Sequence, residues 1–570
     1  MKNNVVRWSV ARLLNRMMTV AGYSALFGLS LRAAASVIPA ERLPSGGWNP
    51  GIAGGIPDDY TLFCNVRVSI PGYPELVATG DGITDDTPAI NAALNAAPDK
   101  TVVFLPAGTY RVNSPIVRAG TYKYDYNQDP FSVILRGEGV TTRLLSYSTT
   151  GSIIEIRAGS GWIGQQPILD GNSRGSTAIT LESGRGIGVD SWIMIQRQNE
   201  QAGVDNSPAY MANAASQLVR VVSIDGNGPV QLGISPPLNE AFGSEKVNWW
   251  FSAPYRCGVE NLYVERMVPA GMHNIHFIGA QECWVKNVVS VNPNKWNIRL
   301  ELSGGCEVRQ CQVRGAWNGG GDSGYGVGLF RFSCNNLIEN NIAESCRHSF
   351  IMEYGGQNNV FGYNYSRNPI NENQASTDYL MGDICLHGGS PRYNLFEGNV
   401  AATIKFDSVL GGSLRNTTFR NRIQRKGLPS TYVACFGSDI QRWNYESSFV
   451  GNVYEAAPER YSGGLYRWGT NQDNRDTIDP LSESSAFLHG VVELASGQIT
   501  WDEALGATEI PVSLYLDKRP EWWGVGGWPS IGLDVAPKAG GNPAFARWHQ
   551  MNDPGSLPKP VSGLHVTEDE

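Results

Sequence analysis

The chain has 570 residues, of which 41% are hydrophobic and 17% charged, with a formal net charge of −8. This is the composition of an ordinary soluble protein, long enough to bury a large core and longer than a usual single domain unless successive coils touch only their neighbours. The negative balance argues against nucleic acid or an anionic membrane as the main partner, though it leaves room for a locally basic groove.

At the N-terminus, Lys2, Arg7, Arg12 and Arg16 precede a mostly apolar stretch from Met17 to Leu31, and Ala33, Ala34 and Ala35 offer a small-residue cleavage site. The expectation is a signal peptide over 1–35 and a secreted or periplasmic protein. The apolar stretch is shorter than the ~20 residues a membrane span needs, and no later segment reads as transmembrane. An N-terminal extension fills 36–75. Next comes Gly80-Asp81-Gly82-Ile83-Thr84-Asp85-Asp86-Thr87-Pro88, where Asp86 or Thr87 is placed to cap a helix with Pro88 near its first position. Ala89 to Ala97 supplies helix formers, Thr101 to Leu105 a strand, and Pro106-Ala107-Gly108-Thr109-Tyr110 a turn. A helix followed by a strand suits the lid of a solenoid, whose open edge must be covered.

Residues 175–240 carry alternating strands and a hairpin signal at Gly226-Asn227-Gly228, which reads as a small inserted β subdomain. Repeats then dominate 256–460. Cys283-Trp284-Val285, Cys306-Glu307-Val308, Asn336-Leu337-Ile338, Asn359-Val360-Phe361, Asn394-Leu395-Phe396 and Asn416-Thr417-Thr418 recur at steps of 23, 30, 23, 35 and 22 residues. Each unit has a second short strand upstream. Short strands, frequent Gly and an Asn at each strand end suit a parallel solenoid, because Asn tolerates a left-handed turn and its amide can bond the next Asn along the axis. From 501 to 570 the repeats give way to an aromatic-rich segment whose tryptophans are expected mainly to seal an open end of the core. The nine cysteines show neither a disulfide framework nor zinc spacing, and are expected to be buried as small apolar residues.

The Gly80–Thr87 and Leu105–Tyr110 motifs resemble the N-terminal cap of the pectate-lyase superfamily, which includes polysaccharide lyases, polygalacturonase-like hydrolases and tailspike depolymerases. The resemblance implies an all-β, right-handed parallel β-helix over 76–500 with a capping helix, and a polysaccharide, acidic in the preferred reading, as partner. His387-Gly388 is similar to the His-Gly pair of polygalacturonases, but their Asn-Thr-Asp and paired-Asp motifs are missing, and no complete lyase motif is present.

Stacking the upstream strands at steps of 22 to 23 residues puts His348, Asp383 and Lys405 in one column with Arg299 in the same file, and Asp407 beside Cys385. Alternation then sends Ile384, Leu386 and Phe406 inward, and Asp383, His387, Lys405 and Asp407 outward. The catalytic candidates are thus Asp383, Asp407, His387, His348 and Lys405, with Arg299, Glu301, Glu353 and Trp296 as substrate-binding candidates. Three readings follow. Elimination from a uronate polymer, the preferred one, needs a cation to neutralise the carboxylate and a base for the C5 proton. Inverting hydrolysis would use Asp383 and Asp407, placed roughly 8 Å apart by this register. A non-catalytic glycan-binding solenoid is the third. The pattern fixes no cofactor, and Asp383 and Asp407 offer oxygen ligands of the kind a Ca²⁺ ion takes.

Overall fold

The computed structural model describes residues 37–552, apart from 121–129, 160–162, 185, 199–212, 244–245, 250–252, 371–380, 426–435, 457–463, 472–477, 507, 525 and 536–540. The expected signal peptide lies outside the described residues. One coil shows how the chain folds. Leu337–Glu339 is a strand, Asn340 turns the chain at φ 54°, Ile342–Glu344 is a second strand, and His348–Glu353 closes the coil. Equivalent strands pair in parallel from coil to coil, giving sheets of twelve, thirteen and ten strands, called A, B and C here. The fold is a right-handed parallel β-helix. Side chains alternate across each strand, so Val259, Val285, Val308, Ile338, Phe361 and Phe396 of sheet A stack into one core.

Two asparagine ladders set the register. In one, the Nδ2 of Asn341, Asn364, Asn399 and Asn421 donates to the Oδ1 of the next member at 3.0, 3.0, 2.9 and 3.0 Å, ending on Asn452. The second amide proton goes to a main-chain carbonyl, as from Asn364 to Ile338 at 2.8 Å. The other ladder joins Asn336, Asn359, Asn394 and Asn416. Cysteines continue its column: Cys306 N donates to Asn336 Oδ1, and Cys283 and Cys257 precede it. The eight described cysteines are free and buried. One point differs from the sequence expectation. The left-handed turn and the ladder belong to different residues, the turn falling to Asn340, Tyr363, Gly398, Arg420 and Gly451, each directly before a ladder Asn.

The helix Thr87–Ala96 closes the N-terminal end, with Ile90, Ala93 and Leu94 in the main core. Asp86 is its N-cap residue but makes no side-chain cap bond; its carboxylate instead accepts from the Thr79 and Gly80 amides. Val37, Ile38, Leu43 and Trp48, together with Leu514, cover the outer face of sheet A. The helix Pro543–Met551 and Ile531 cover that of sheet B. The tryptophans lie on this flank rather than at an end of the core: Trp523 meets Tyr363 at 4.8 Å. At the far end Tyr466 and Trp468 pack against Phe449. The inserted strands run from Ile163–Pro167 to Lys246–Trp249, wider than 175–240, and form a six-stranded antiparallel sheet with its own core. This insert docks beside the turns linking sheets C and A, where Glu240 accepts from Arg392 at 2.6 Å and Trp192 packs with Phe332.

Asn364→Ala removes the acceptor of two Asn341 donors and the donor to Asn399 Oδ1. A loss of ~2–4 kcal/mol is expected, since buried polar groups are left unpaired. Thermal unfolding of the variant against wild type measures it.

Candidate active site

With sheets A and B clad by the terminal segments, the outer face of sheet C carries the ionisable cluster. Backbone pairing aligns Glu301, Phe330, Glu353 and His387 in one column. Arg299, Gly328, Ile351, Cys385 and Lys405 form the column beside it. Ile384, Leu386 and Phe406 point inward as expected, while Cys385 faces out among Trp296, Tyr325 and Phe330.

Glu353, His387 and Asp407 form a file along the axis. His387 Nδ1 donates to Asp407 Oδ2 at 2.6 Å, and its Nε2 stands 3.6 Å from Glu353 Oε1. The carboxyl groups are almost wholly buried, and His387 is the most accessible of the three at 18%. Burial opposes the His387 charge, but Asp407 outweighs it and lifts the imidazolium to about 9. Burial would likewise raise Asp407, yet the His387 charge and hydrogen bond, with Lys405 near, hold it below the usual carboxylate value. Glu353 gains too little from His387 and Arg299 to offset burial, and rises to about 7. Its Oε2 has no hydrogen-bond partner among the described residues. A fixed cation therefore sits beside a carboxyl that changes charge near neutrality, a pairing typical of functional sites.

Upstream lies a second group. Glu301 binds Arg299 at 2.9 Å, His276 at 3.2 Å and Arg331 at 3.3 Å. Burial works against its charge, but these partners hold it down at about 2. The Arg299 guanidinium lies 3.7 Å from the centre of the Phe330 ring, with Trp296 at 5.0 Å. Burial keeps His276 and His273 below the ordinary imidazole value.

The structure corrects four expectations, for Lys405, Asp407, Asp383 and His348. Lys405 pairs with Cys385, not Asp383, and Asp407 meets His387, not Cys385. The turn linking sheets C and A is longer in the later coil: Ile384 to Arg392 spans eight positions, Ile404 to Leu414 ten. Uniform steps of 22 therefore overshoot by two. Asp383 faces an interior corner, where Oδ2 accepts from the Ala402 amide at 2.5 Å, and burial pushes it up to about 7. Four positions along the strand then separate its level from Asp407, about 13 Å, so neither the hydrolytic pair nor the shared Ca²⁺ position forms. His348 lies at the opposite end of its strand from Glu353, with Nδ1 2.8 Å from Gly382 O and burial lowering it to about 3. Lys405, Arg299, Glu301, Glu353 and Trp296 do lie on this face. Sequence reasoning missed Phe330 and Arg331; extending the Glu301 column by one coil would have reached Phe330.

Residues 75–321 match a family model described as "Rhamnogalacturonase A/epimerase, pectate lyase-like". Over that stretch the solenoid is similar to the pectate-lyase-like family. The match ends before Glu353, His387 and Asp407, so the file lies outside it. No curated protein is similar enough in sequence to count as a match. Solved structures resemble the chain more distantly. The tailspike gp61 of Pseudomonas phage phi297 is 13% identical over 72% of both chains, with a TM-score of 0.45. The tailspike gp54 of Acinetobacter baumannii bacteriophage AP22, solved with a capsular saccharide, is 12% identical over 72% of this chain and 61% of its own, TM-score 0.45. An alginate lyase from Paenibacillus sp. FPU-7 is 9% identical over 68% of this chain and 94% of its own, TM-score 0.35. Among the described residues no helix is long and apolar enough to cross a membrane.

Glu353, Asp383 and Glu397 are all raised to about 7 by burial. Their unfolded values lie near 4, so the folded chain binds more protons, and the stabilisation this brings is complete below about 4 and lost as pH rises through about 7. The melting temperature is expected to fall between about pH 4 and pH 7. Asp383→Asn, neutral throughout, flattens that fall.

Proposed function

We propose that the protein is an exported enzyme that cleaves an acidic polysaccharide by β-elimination, with Glu353 as base and His387 as the neutralising cation. The observation that carries this reading is the 3.6 Å approach of the His387 imidazolium to the Glu353 carboxyl. Elimination from a 4-linked uronate needs a positive charge at the sugar carboxylate and a base at the adjoining C5–H, and the two groups must lie this close because their targets are neighbouring atoms. Glu353 takes the C5 proton, the electron pair forms the C4–C5 double bond, and the C4–O bond breaks. The departing oxygen then takes a proton from His387 or water. Asp407 keeps His387 charged and oriented. A base near 7 is matched to neutral conditions. The pectate-lyase-like match over 75–321 supports carbohydrate chemistry on this fold.

Hydrolysis is less well served. Glu353 and Asp407 stand two coils apart, about 9.6 Å, close to an inverting pair's spacing. The imidazole of His387, bonded to Asp407 and facing Glu353, fills the space where the attacking water would sit. Arg299 and Arg331 are engaged by Glu301, which leaves His387 as the cation nearest the base.

A panel of acidic polysaccharides read both by near-ultraviolet absorbance and by reducing ends tests the reading. Expected is an absorbing, unsaturated product from at least one polymer, abolished by Glu353→Gln with little change in melting temperature. Reducing ends without absorbance, or no cleavage at all, would sink it. The rate should rise with pH through about 7 as Glu353 ionises and fall through about 9 as His387 loses its proton.

A further inference from the structure

The inserted sheet grips the chain directly after Glu353. Gln357 Nε2 donates to the Ala215 and Ser216 carbonyls at 3.0 and 3.1 Å. Asn239 Nδ2 donates to Gln357 Oε1 at 2.9 Å and to Asn358 Oδ1 at 2.7 Å. A Cβ on Gly355 would collide with the Ala214 carbonyl, so the insert also lies close on this turn. The turn opens with Tyr354, a non-glycine residue in the left-handed region at φ 58°, followed by Gly355 at 80° and Gly356 at 96°. Main-chain bonds from Tyr354 to the His387 carbonyl and from Gly355 to that of Gly389, at 3.1 and 3.0 Å, tie it to the next coil. Backbone of this kind persists where its surroundings fix it. The turn in turn places the Tyr354 ring. The ring packs against the cluster that Trp192, Met194, Ala214 and Leu218 of the insert form with Phe332. It also meets the Phe330 ring at 5.4 Å and the His387 imidazole at 6.1 Å between centres. Gly388 in the next coil leaves the room this needs, since a Cβ there would collide with Tyr354 Cδ1.

We infer that Tyr354 is a positioning residue through which the insert acts on the site, its ring walling off the His387–Asp407 pair from water. As a statement about catalysis this rests on the reading of His387 as the neutralising cation given above. Besides Tyr354, the ionisable groups that face the imidazole are Asp407, Glu353, Lys405 and His348. Burial opposes the His387 charge, Asp407 favours it, and the second effect wins, lifting the imidazolium to about 9. Both effects depend on water being kept out. Admitting water weakens both and returns the imidazole toward its ordinary value.

Histidine nuclear magnetic resonance on the full chain reads this without catalysis, the His387 signal being identified by its loss in His387→Gln. Tyr354→Leu is expected to lower the His387 titration by about one pH unit, and Tyr354→Phe, which keeps the ring, to leave it in place. Gln357→Ala loosens the grip of the insert from outside the site and should give part of the same shift; it decides the matter where Tyr354→Leu does not fold. On any polymer that the wild type cleaves, the alkaline limb of the rate should move with the titration. A titration unchanged in folded Tyr354→Leu and Gln357→Ala would overturn the inference, and so would a shift in Tyr354→Phe as large as in Tyr354→Leu. Unsaturated product with an unmoved alkaline limb would spare the elimination and overturn the role of Tyr354. A shifted titration with no unsaturated product from any polymer would overturn the elimination and leave Tyr354 as the wall of the pair.

Discussion

Every functional statement about this molecule waits on the amide-to-amide hydrogen bond between asparagines one coil apart. An asparagine amide both donates and accepts, so a column of them is satisfied only when each coil lies in register with the next. A slip of one residue would unpair the ladder and turn every core side chain outward. The ladders therefore do more than stabilise. They fix which outward residues become neighbours, and only because Glu353 and His387 occupy the same place in successive coils do their side chains meet.

The three faces of the solenoid are treated differently, and the difference shows in which buried carboxyls hold the terminal segments. Beneath the cladding of sheet A, Glu397 is raised to about 7, yet it accepts from the Tyr363 hydroxyl at 2.6 Å and the Leu514 amide at 2.9 Å. Glu339 takes the Tyr515 hydroxyl, and Glu307 the Ile52 amide. These groups anchor terminal segments. Glu353 is buried as deeply on sheet C, but no such segment supplies a donor to its Oε2 among the described residues. A desolvated carboxyl with capacity left over is what a proton acceptor requires.

Much of this was legible in the sequence. The Gly80–Thr87 cap, the recurring Asn-x-x units and the inward placement of Ile384, Leu386 and Phe406 all follow from turn chemistry and a two-residue alternation. The pairing of outward residues did not follow, for a physical reason. Turns between sheets C and A are free to vary because they lie on the surface, and the two extra positions between Ile404 and Leu414 shift Asp407 from Cys385 to His387. Asp383 was misread for a related reason: it precedes its strand, so alternation does not govern it, and the chain bends there to deliver its carboxylate to Ala402. Loop length and corner geometry are three-dimensional quantities that a spacing count does not contain.

A rigid sheet also explains how a charge can be kept where water would ordinarily dissipate it. His387 is not positive because it is exposed; burial alone would neutralise it. It is positive because Asp407, deeper still and itself fixed by the Val409 amide at 3.1 Å, would otherwise be a buried charge without a partner. The cost of desolvating the pair is met when the solenoid folds, so the charge stands in place without further reorganisation. The same low-dielectric surroundings that sustain the pair push Glu353 toward its neutral form, and a carboxylate sugar docked at His387 would raise it further. On the proposed elimination, substrate charge and base strength would be coupled through one imidazole, with His387 standing between the two events that such a reaction must join.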